Sequence, residues 1–124
     1  MKLSEKEFDA LVKRAIRRIP PEICEHLENI MISVLPKPSK EMLRESGLPK
    51  GETLLGLFQG VSLMERLATF PPLYPDTIFL FQEPLEEICL TIEELEEEVE
   101  ITVVHEVAHF LGMGEERLAE LGYA

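Results

Sequence analysis

The residues best able to do chemistry lie in one short stretch, His105-Glu106-Val107-Ala108-His109, an H-E-x-x-H motif. Residues four apart share one face of an α-helix, so both imidazoles can reach one metal ion from a rigid support. Glu106 directly follows His105, so its carboxylate lies to one side, where it can hydrogen-bond a water on the metal without being a ligand. The motif therefore predicts metal-assisted hydrolysis, with Glu106 as general base.

The sequence after the motif offers a third metal ligand. Gly112 lets the chain leave the helix with a positive φ and turn back toward the metal. Glu115, three residues further on, is the first candidate, and Glu116 is the second because a one-residue shift in the turn would exchange them. Both could instead serve as negative charges at the start of a last helix. Two imidazoles and a carboxylate suit Zn²⁺, and other divalent transition metals use similar ligands.

The motif falls within the longest predicted helix. From residue 91 to residue 111 the chain has neither Gly nor Pro, and Thr91 and Glu94 have the spacing of a capping box. Apolar residues flank the histidines, which predicts a helix that is buried along one side and has little water beside the motif. The first half of this helix is rich in glutamates that are expected to form a solvated face, namely Glu93, Glu94, Glu96, Glu97, Glu98 and Glu100.

The rest of the chain predicts an α+β fold, in which a small mixed sheet of three to four strands packs on helices. A first helix begins at the capping box of Ser4 and ends before Pro20, and Pro21 opens a short second helix. Strands are predicted at residues 29–35, 53–59 and 77–82, a loop with three prolines at 69–76, and short helices at 39–46 and 115–121.

Composition limits the class of protein. The 124 residues, 45% hydrophobic and 29% charged, predict one globular domain over residues 1–124. The net charge is −12, and residues 51–124 hold 16 of the acidic residues but only 2 of the basic ones, which argues against nucleic acid and anionic membranes as partners. Cys24 and Cys89 are too few for a disulfide framework, and no signal or membrane-spanning segment is evident, so a cytoplasmic location is expected.

The segment HEVAHFLGMGEERLAELGY, preceded by TIFLFQEPL, resembles the small bacterial zincin-like metallopeptidases known as minimal metalloproteases. The similarity extends to LLGLFQGVSLMER and to the loop at residues 74–76. The resemblance implies a zincin-like fold that hydrolyses a peptide or protein substrate. It also implies that His105 and His109 bind zinc, that Glu106 is the general base, and that Glu115 supplies the third ligand at a position where the related motif usually has Asp or His.

Two further expectations follow from this resemblance. In zincins the strand edge beside the active-site helix pairs with an extended substrate, and residues 77–82 are the natural candidate, although a plain core strand explains them equally well. Tyr74 and Tyr123 are candidate oxyanion donors, and packing with a solvated hydroxyl is the simpler explanation of each.

The alternative function is a non-catalytic metal-binding protein that recognises a partner and carries a vestigial zincin site.

Overall fold

The computed structural model describes residues 1–49, 51–60 and 76–123. Its helices are α1 (Glu5–Arg17), α2 (Pro21–Cys24, extended by a 3-10 turn at Glu25–Leu27), α3 (Lys40–Ser46), α4 (Gln82–Glu87), α5 (Ile92–Leu111) and α6 (Glu115–Glu120). Its strands are β1 (Ile30–Leu35), β2 (Gly56–Gln59) and β3 (Asp76–Phe81). The α+β class with a small mixed sheet is confirmed. The predicted loop up to residue 75, including Tyr74, lies outside the described residues.

The three strands are ordered β1-β3-β2, with β1 parallel and β2 antiparallel to β3. In the described part of the chain β3 is therefore the central strand, and β1 and β2 are the edges. The expectation that residues 77–82 offer an edge to a substrate is wrong, because both edges of β3 are already paired. The alternative, a core strand, is the correct one, since Ile78, Leu80 and Phe81 are fully buried.

The structure differs from the sequence prediction at the ends of two strands. β2 begins at Gly56, three residues later than predicted, and β3 ends at Phe81. Gln82 starts the unpredicted helix α4, and Pro84 is its third residue. Proline is tolerated in a first helical turn because the backbone N–H groups there have no partner within the helix. Pro84 thus lies three residues after the end of β3, in the first turn of a helix and not in a loop.

The core lies between α1, α5 and the sheet. α1 begins with the predicted capping box, in which Glu7 N donates to Ser4 Oγ and Ser4 N donates to the Glu7 carboxylate. Its buried face packs on α5, whose valines at positions 99, 103, 104 and 107 are fully buried. None of the helices in the described ranges is long and apolar enough to cross a bilayer.

Gly56 sets the distance between β2 and α5. A Cβ atom on Gly56 would lie 2.6 Å from Thr102 Cγ2 and 3.1 Å from the carbonyl oxygen of Phe79. The missing side chain therefore lets the backbone of β2 approach α5 directly, one turn before the H-E-x-x-H motif. Gly56 is therefore the residue that allows this edge strand to lie close to the motif.

The glutamates in the first half of α5 are not all solvated. Glu96 accepts hydrogen bonds from Arg14 at 2.7 Å and from Arg18 at 3.0 Å, and Glu100 lies 2.9 Å from Arg18 Nε. The predicted solvated face is wrong for Glu96, which is half-buried, and for Glu100, which is buried. Arg14 and Arg18 come from the C-terminal end of α1, so these pairs tie α1 to α5 across 78 to 82 residues of sequence, a contact that the pattern of α5 alone does not predict.

Candidate functional site

The C-terminal half of α5 carries all three residues of the predicted catalytic set. His105 is half-buried, Glu106 is mostly buried, and the side chain of His109 is 75% exposed. The helix stops just beyond the motif, where Gly112 adopts a φ of 70° and Met113 N donates to the carbonyl of Ala108 at 2.9 Å. This end is a left-handed glycine cap, which matches the predicted role of Gly112 in turning the chain.

Glu106 reaches from α5 to the edge of the sheet. Its Oε1 accepts a hydrogen bond from Phe58 N of β2 at 2.8 Å, and its Oε2 lies 4.0 Å from His109 Nδ1. Burial raises the pKa of Glu106, and the Phe58 hydrogen bond and the two histidines oppose that rise. A mostly buried carboxylate with a raised pKa, held by a neutral backbone donor, has the character of a general base.

The Phe58 N–H group belongs to the outer edge of β2. Phe81 N donates to the carbonyl of Leu55 at 3.0 Å, so Leu55 and every second residue after it direct their backbone groups toward β3. Phe58 lies between these positions, and its N–H group therefore points away from β3. Glu106 thus binds the edge strand at a backbone group that the sheet does not use.

His105 is engaged by the segment that follows α6. Its Nε2 lies 2.9 Å from the carbonyl oxygen of Tyr123, and because a carbonyl only accepts, Nε2 must be the protonated ring nitrogen. The Tyr123 hydroxyl donates to Glu100 at 2.5 Å. Burial and this hydrogen bond raise the pKa of Tyr123, so the phenol stays a donor. In this arrangement the hydroxyl is committed to Glu100 and does not serve as the oxyanion donor considered from the sequence.

Glu115 and Glu116 are the first two residues of α6, directly after the N-cap Gly114, and both are exposed. Over residues 1–49, 51–60 and 76–123, no three His, Cys, Asp or Glu side chains gather as they would around a metal ion. The structure places Glu106 beside His109 but does not bring either glutamate of α6 into a group with the histidines. The donor types, two imidazoles and a carboxylate, fit zinc, and the full ligand set stays a prediction.

The rings of two aromatic residues next to Glu106 stack on each other in the structure. Phe58 and Phe110 stack with ring centroids 4.6 Å apart and an interplanar angle of 23°, and Phe110 is 49% exposed.

Three parts of the site were not predicted from the sequence, namely Phe58, Glu100 and the Tyr123 carbonyl. The spacing of Glu100, four residues after Glu96 and four before the buried Val104, indicates a position on the same helix face as both. Nothing in the sequence indicates the two backbone contacts.

The remaining candidates are structural. Cys89 is buried and Cys24 is half-buried, and both are free thiols. Their burial suits small apolar side chains packed at the core. The third histidine of the chain, His26, is exposed.

Comparison with known proteins assigns the family. The model of the zincin-like metallopeptidase family matches residues 27–123. No curated protein matches the chain significantly. A solved structure, described as a conserved hypothetical protein from T. thermophilus, is similar with a TM-score of 0.54 and 23% identity, over 94% of this chain and 98% of that one. This likeness concerns the fold alone. The family match covers most of the chain and includes the H-E-x-x-H helix, and the chain therefore belongs to the zincin-like metallopeptidase family.

Proposed function

We propose that this protein is a zinc-dependent metallopeptidase that hydrolyses peptide bonds in peptides or extended protein segments. The observation that carries the proposal is the position of Glu106, whose mostly buried carboxylate lies 4.0 Å from His109 Nδ1 and accepts a hydrogen bond from the outer edge of β2. A structural carboxylate on this helix would be expected to meet a guanidinium group, as Glu96 and Glu100 do. Glu106 instead lies beside the imidazole of His109 and accepts from a backbone N–H.

The chemistry follows from the roles that these residues can fill. His105 and His109 would hold the zinc ion, and when bound it would supply Lewis-acid activation of the water and of the substrate carbonyl. Glu106 takes a proton from the attacking water at Oε2, the oxygen that faces His109, and later returns it to the leaving amine. Its Oε1 stays with Phe58 N, which keeps the carboxylate in place while its proton is gained and lost.

The third ligand in this proposal is Glu115, with Glu116 as the alternative. Both stand at the start of α6, a few residues after the glycine cap that reverses the chain beyond His109. A carboxylate on a short exposed helix can swing toward the histidines at low cost, because neither side chain is buried. Zn²⁺ is the favoured metal for this donor set, and another divalent transition metal is the alternative.

An extended substrate fits the outer edge of β2 rather than β3. In the described part of the chain β2 is the edge strand next to α5, and its outward backbone groups lie beside the catalytic carboxylate. A peptide that added to this edge would bring its carbonyl groups close to Glu106 and His109. Phe58 and Phe110 would lie alongside the bound segment. The acidic second half of the chain favours neutral or basic substrates.

The test is Glu106→Gln, with Glu97→Gln as the matched control on the exposed side of the same helix. Gln keeps an oxygen for Phe58 N but cannot accept the proton, so we expect unchanged zinc content and a loss of turnover of about 10²- to 10⁴-fold. The measurement is cleavage of a fluorogenic peptide library by zinc-reconstituted protein. Glu97→Gln should cleave at the wild-type rate.

Two outcomes would overturn the enzymatic function. One is a zinc-loaded wild type that cleaves no member of the library, and the other is a Glu106→Gln variant that retains full turnover. The first outcome would favour the non-catalytic alternative, a metal-binding protein that recognises a partner, because zinc would bind without any cleavage. The metal content of the same samples shows whether zinc was bound.

A further inference from the structure

The segment after α6 is built to present a backbone carbonyl to His105. α6 ends in a Schellman motif, in which Gly122 N donates to the carbonyl of Ala119 at 3.0 Å and Tyr123 N donates to that of Leu118 at 2.8 Å. Gly122 adopts a φ of 93°, a conformation that side chains other than hydrogen disfavour. The direction of the chain at Tyr123 is therefore fixed by the cap.

Three anchors hold this cap against the molecule. Leu118 is buried in the core, Arg117 forms an ion pair with Glu22 of α2, and the Tyr123 hydroxyl donates to the buried Glu100 of α5. Glu100 lies five residues before His105 on the same helix. The hydroxyl and the carbonyl of one tyrosine thus contact α5 at two points, and the second point is the first histidine of the motif.

The contact with Tyr123 uses the ring nitrogen that a metal would need. Two imidazoles on successive helical turns can share one ion through their outer nitrogens, Nε2, which stand away from the helix and would leave room for a third ligand and a water. Nδ1 lies next to Cβ and close to the helix backbone, which leaves less space around a shared ion. A nitrogen that donates its hydrogen to a carbonyl has no lone pair for a metal, so Nε2 cannot do both at once.

We propose that the segment Leu121–Tyr123, called here the latch, competes with the metal ion for Nε2 of His105. Metal binding breaks the hydrogen bond between His105 and the Tyr123 carbonyl, and the neutral ring moves its proton from Nε2 to Nδ1 through solvent. The latch thereby lowers the metal affinity of the site by the free energy of one hydrogen bond. This inference rests on the proposed function, because it takes His105 as a metal ligand.

A supporting role for Tyr123 would predict the opposite result. Metal-ligating histidines commonly donate their second ring N–H to a backbone carbonyl, and loss of such a partner weakens metal binding by about 10- to 100-fold. In that case the metal would take Nδ1 of His105 and Tyr123 would stay in place. The sign of the affinity change on loosening the latch therefore separates competition from support.

The first experiment measures zinc affinity by competition with a chelating dye for three variants. Tyr123→Phe removes the hydroxyl anchor on Glu100 and keeps the backbone, and Gly122→Ala strains the cap through its positive φ. We expect both to bind zinc about 3- to 10-fold more tightly than the wild type. Gly47→Ala is the matched control, because Gly47 has a φ of 71° at the end of α3 and, like Gly122, has no heavy atom within 4 Å of an added Cβ. It should leave zinc affinity unchanged.

The second experiment follows the ring nitrogens of His105 by ¹⁵N NMR during zinc titration. The latch predicts a protonated Nε2 before zinc, and a metal-bound Nε2 with a protonated Nδ1 after it. Weaker zinc binding by Tyr123→Phe, or coordination through Nδ1, would overturn the latch and leave the proposed function intact. Absence of zinc binding by the wild type and by both loosened variants would overturn the two together.

Discussion

The two halves of α5 treat their carboxylates differently. In the first half, Glu96 and Glu100 are met by the guanidinium groups of Arg14 and Arg18, which tie α5 to α1. In the second half, the ion pairs of the described residues give Glu106 no arginine or lysine, and its strong contact is a backbone N–H. The two least exposed carboxylates of the first half are thus paired with arginines, and the second half leaves a mostly buried carboxylate beside the imidazole of His109.

This difference shows how a single helix can serve the fold and the chemistry at once. Fully buried side chains such as Leu95 and Val99 hold the first half between α1 and the sheet. The second half keeps a buried inner side but exposes His109 and Phe110 on its outer side. The second half is anchored by the fully buried Val103, Val104 and Val107, so the residues proposed for catalysis stand on a firmly packed helix whose outer side is exposed.

The largest expected difference between the two halves of α5 is the loss of metal binding in His109→Ala. We expect a loss of zinc affinity of more than about 100-fold, because removing a direct ligand costs more than removing a hydrogen-bond partner of a ligand. Thermal unfolding without zinc should be unchanged, since the side chain is 75% exposed. His26→Ala, at another exposed histidine, should retain both properties. Equal zinc affinity in the two variants would contradict the proposed role of His109 as a zinc ligand.

The next effect is on stability and belongs to the first half of α5. Leu95 is fully buried, so Leu95→Ala should lower the free energy of unfolding by about 2–5 kcal/mol. Phe110→Ala, which removes a larger but half-exposed side chain from the second half, should cost less. Chemical denaturation of the two variants measures both values. A larger loss in Phe110→Ala would contradict the distinction between the buried inner side and the exposed outer side of α5.

The smallest effect concerns the dependence of stability on pH. Hydrogen bonds from Arg14 and then Arg18 hold the pKa of Glu96 below its ordinary value of 4.5. Because the folded-state pKa is lowered, the stabilising contribution is present above 4.5 and is lost as pH falls through the lowered value. Glu96→Gln should therefore lower the free energy of unfolding by about 1 kcal/mol at pH 7, with the difference from the wild type disappearing in acid. A constant difference from pH 7 to pH 3 would contradict the ion-pair interpretation.

Local patterns predicted most of the helices and the placement of the motif. The capping residues of α1, α3 and α5 act within four residues, so Ser4, Ser39 and Thr91 mark helix starts that the structure confirms. Gly112 marked the end of α5 for the same reason. The H-E-x-x-H spacing is itself a local helical pattern, and His105 to His109 lie within α5 as predicted.

Contacts between distant segments could not be predicted in this way. Glu106 and Phe58 are 48 residues apart, and His105 and Tyr123 are 18 apart, and both contacts involve a backbone group that any residue type would offer. The central position of β3 depends on strand order, which the amphipathic pattern of one strand does not encode. The full ligand set, with Glu115, depends on the orientation of α6 relative to α5 and stays a prediction.

The hydrogen bond from Phe58 to Glu106 also bears on self-association. An edge strand with free N–H groups is a template for pairing with another chain, and proteins suppress this with inward-pointing charges or covered edges. β2 is short, it begins at a glycine, and its outward N–H at Phe58 is capped by a carboxylate from α5. The carboxylate that we propose as the general base therefore also occupies an N–H group at which another copy of the chain could pair with β2, an edge strand of the described sheet. A substrate peptide on this edge has to pair with the other outward groups of β2, while Glu106 keeps its hydrogen bond to Phe58 N.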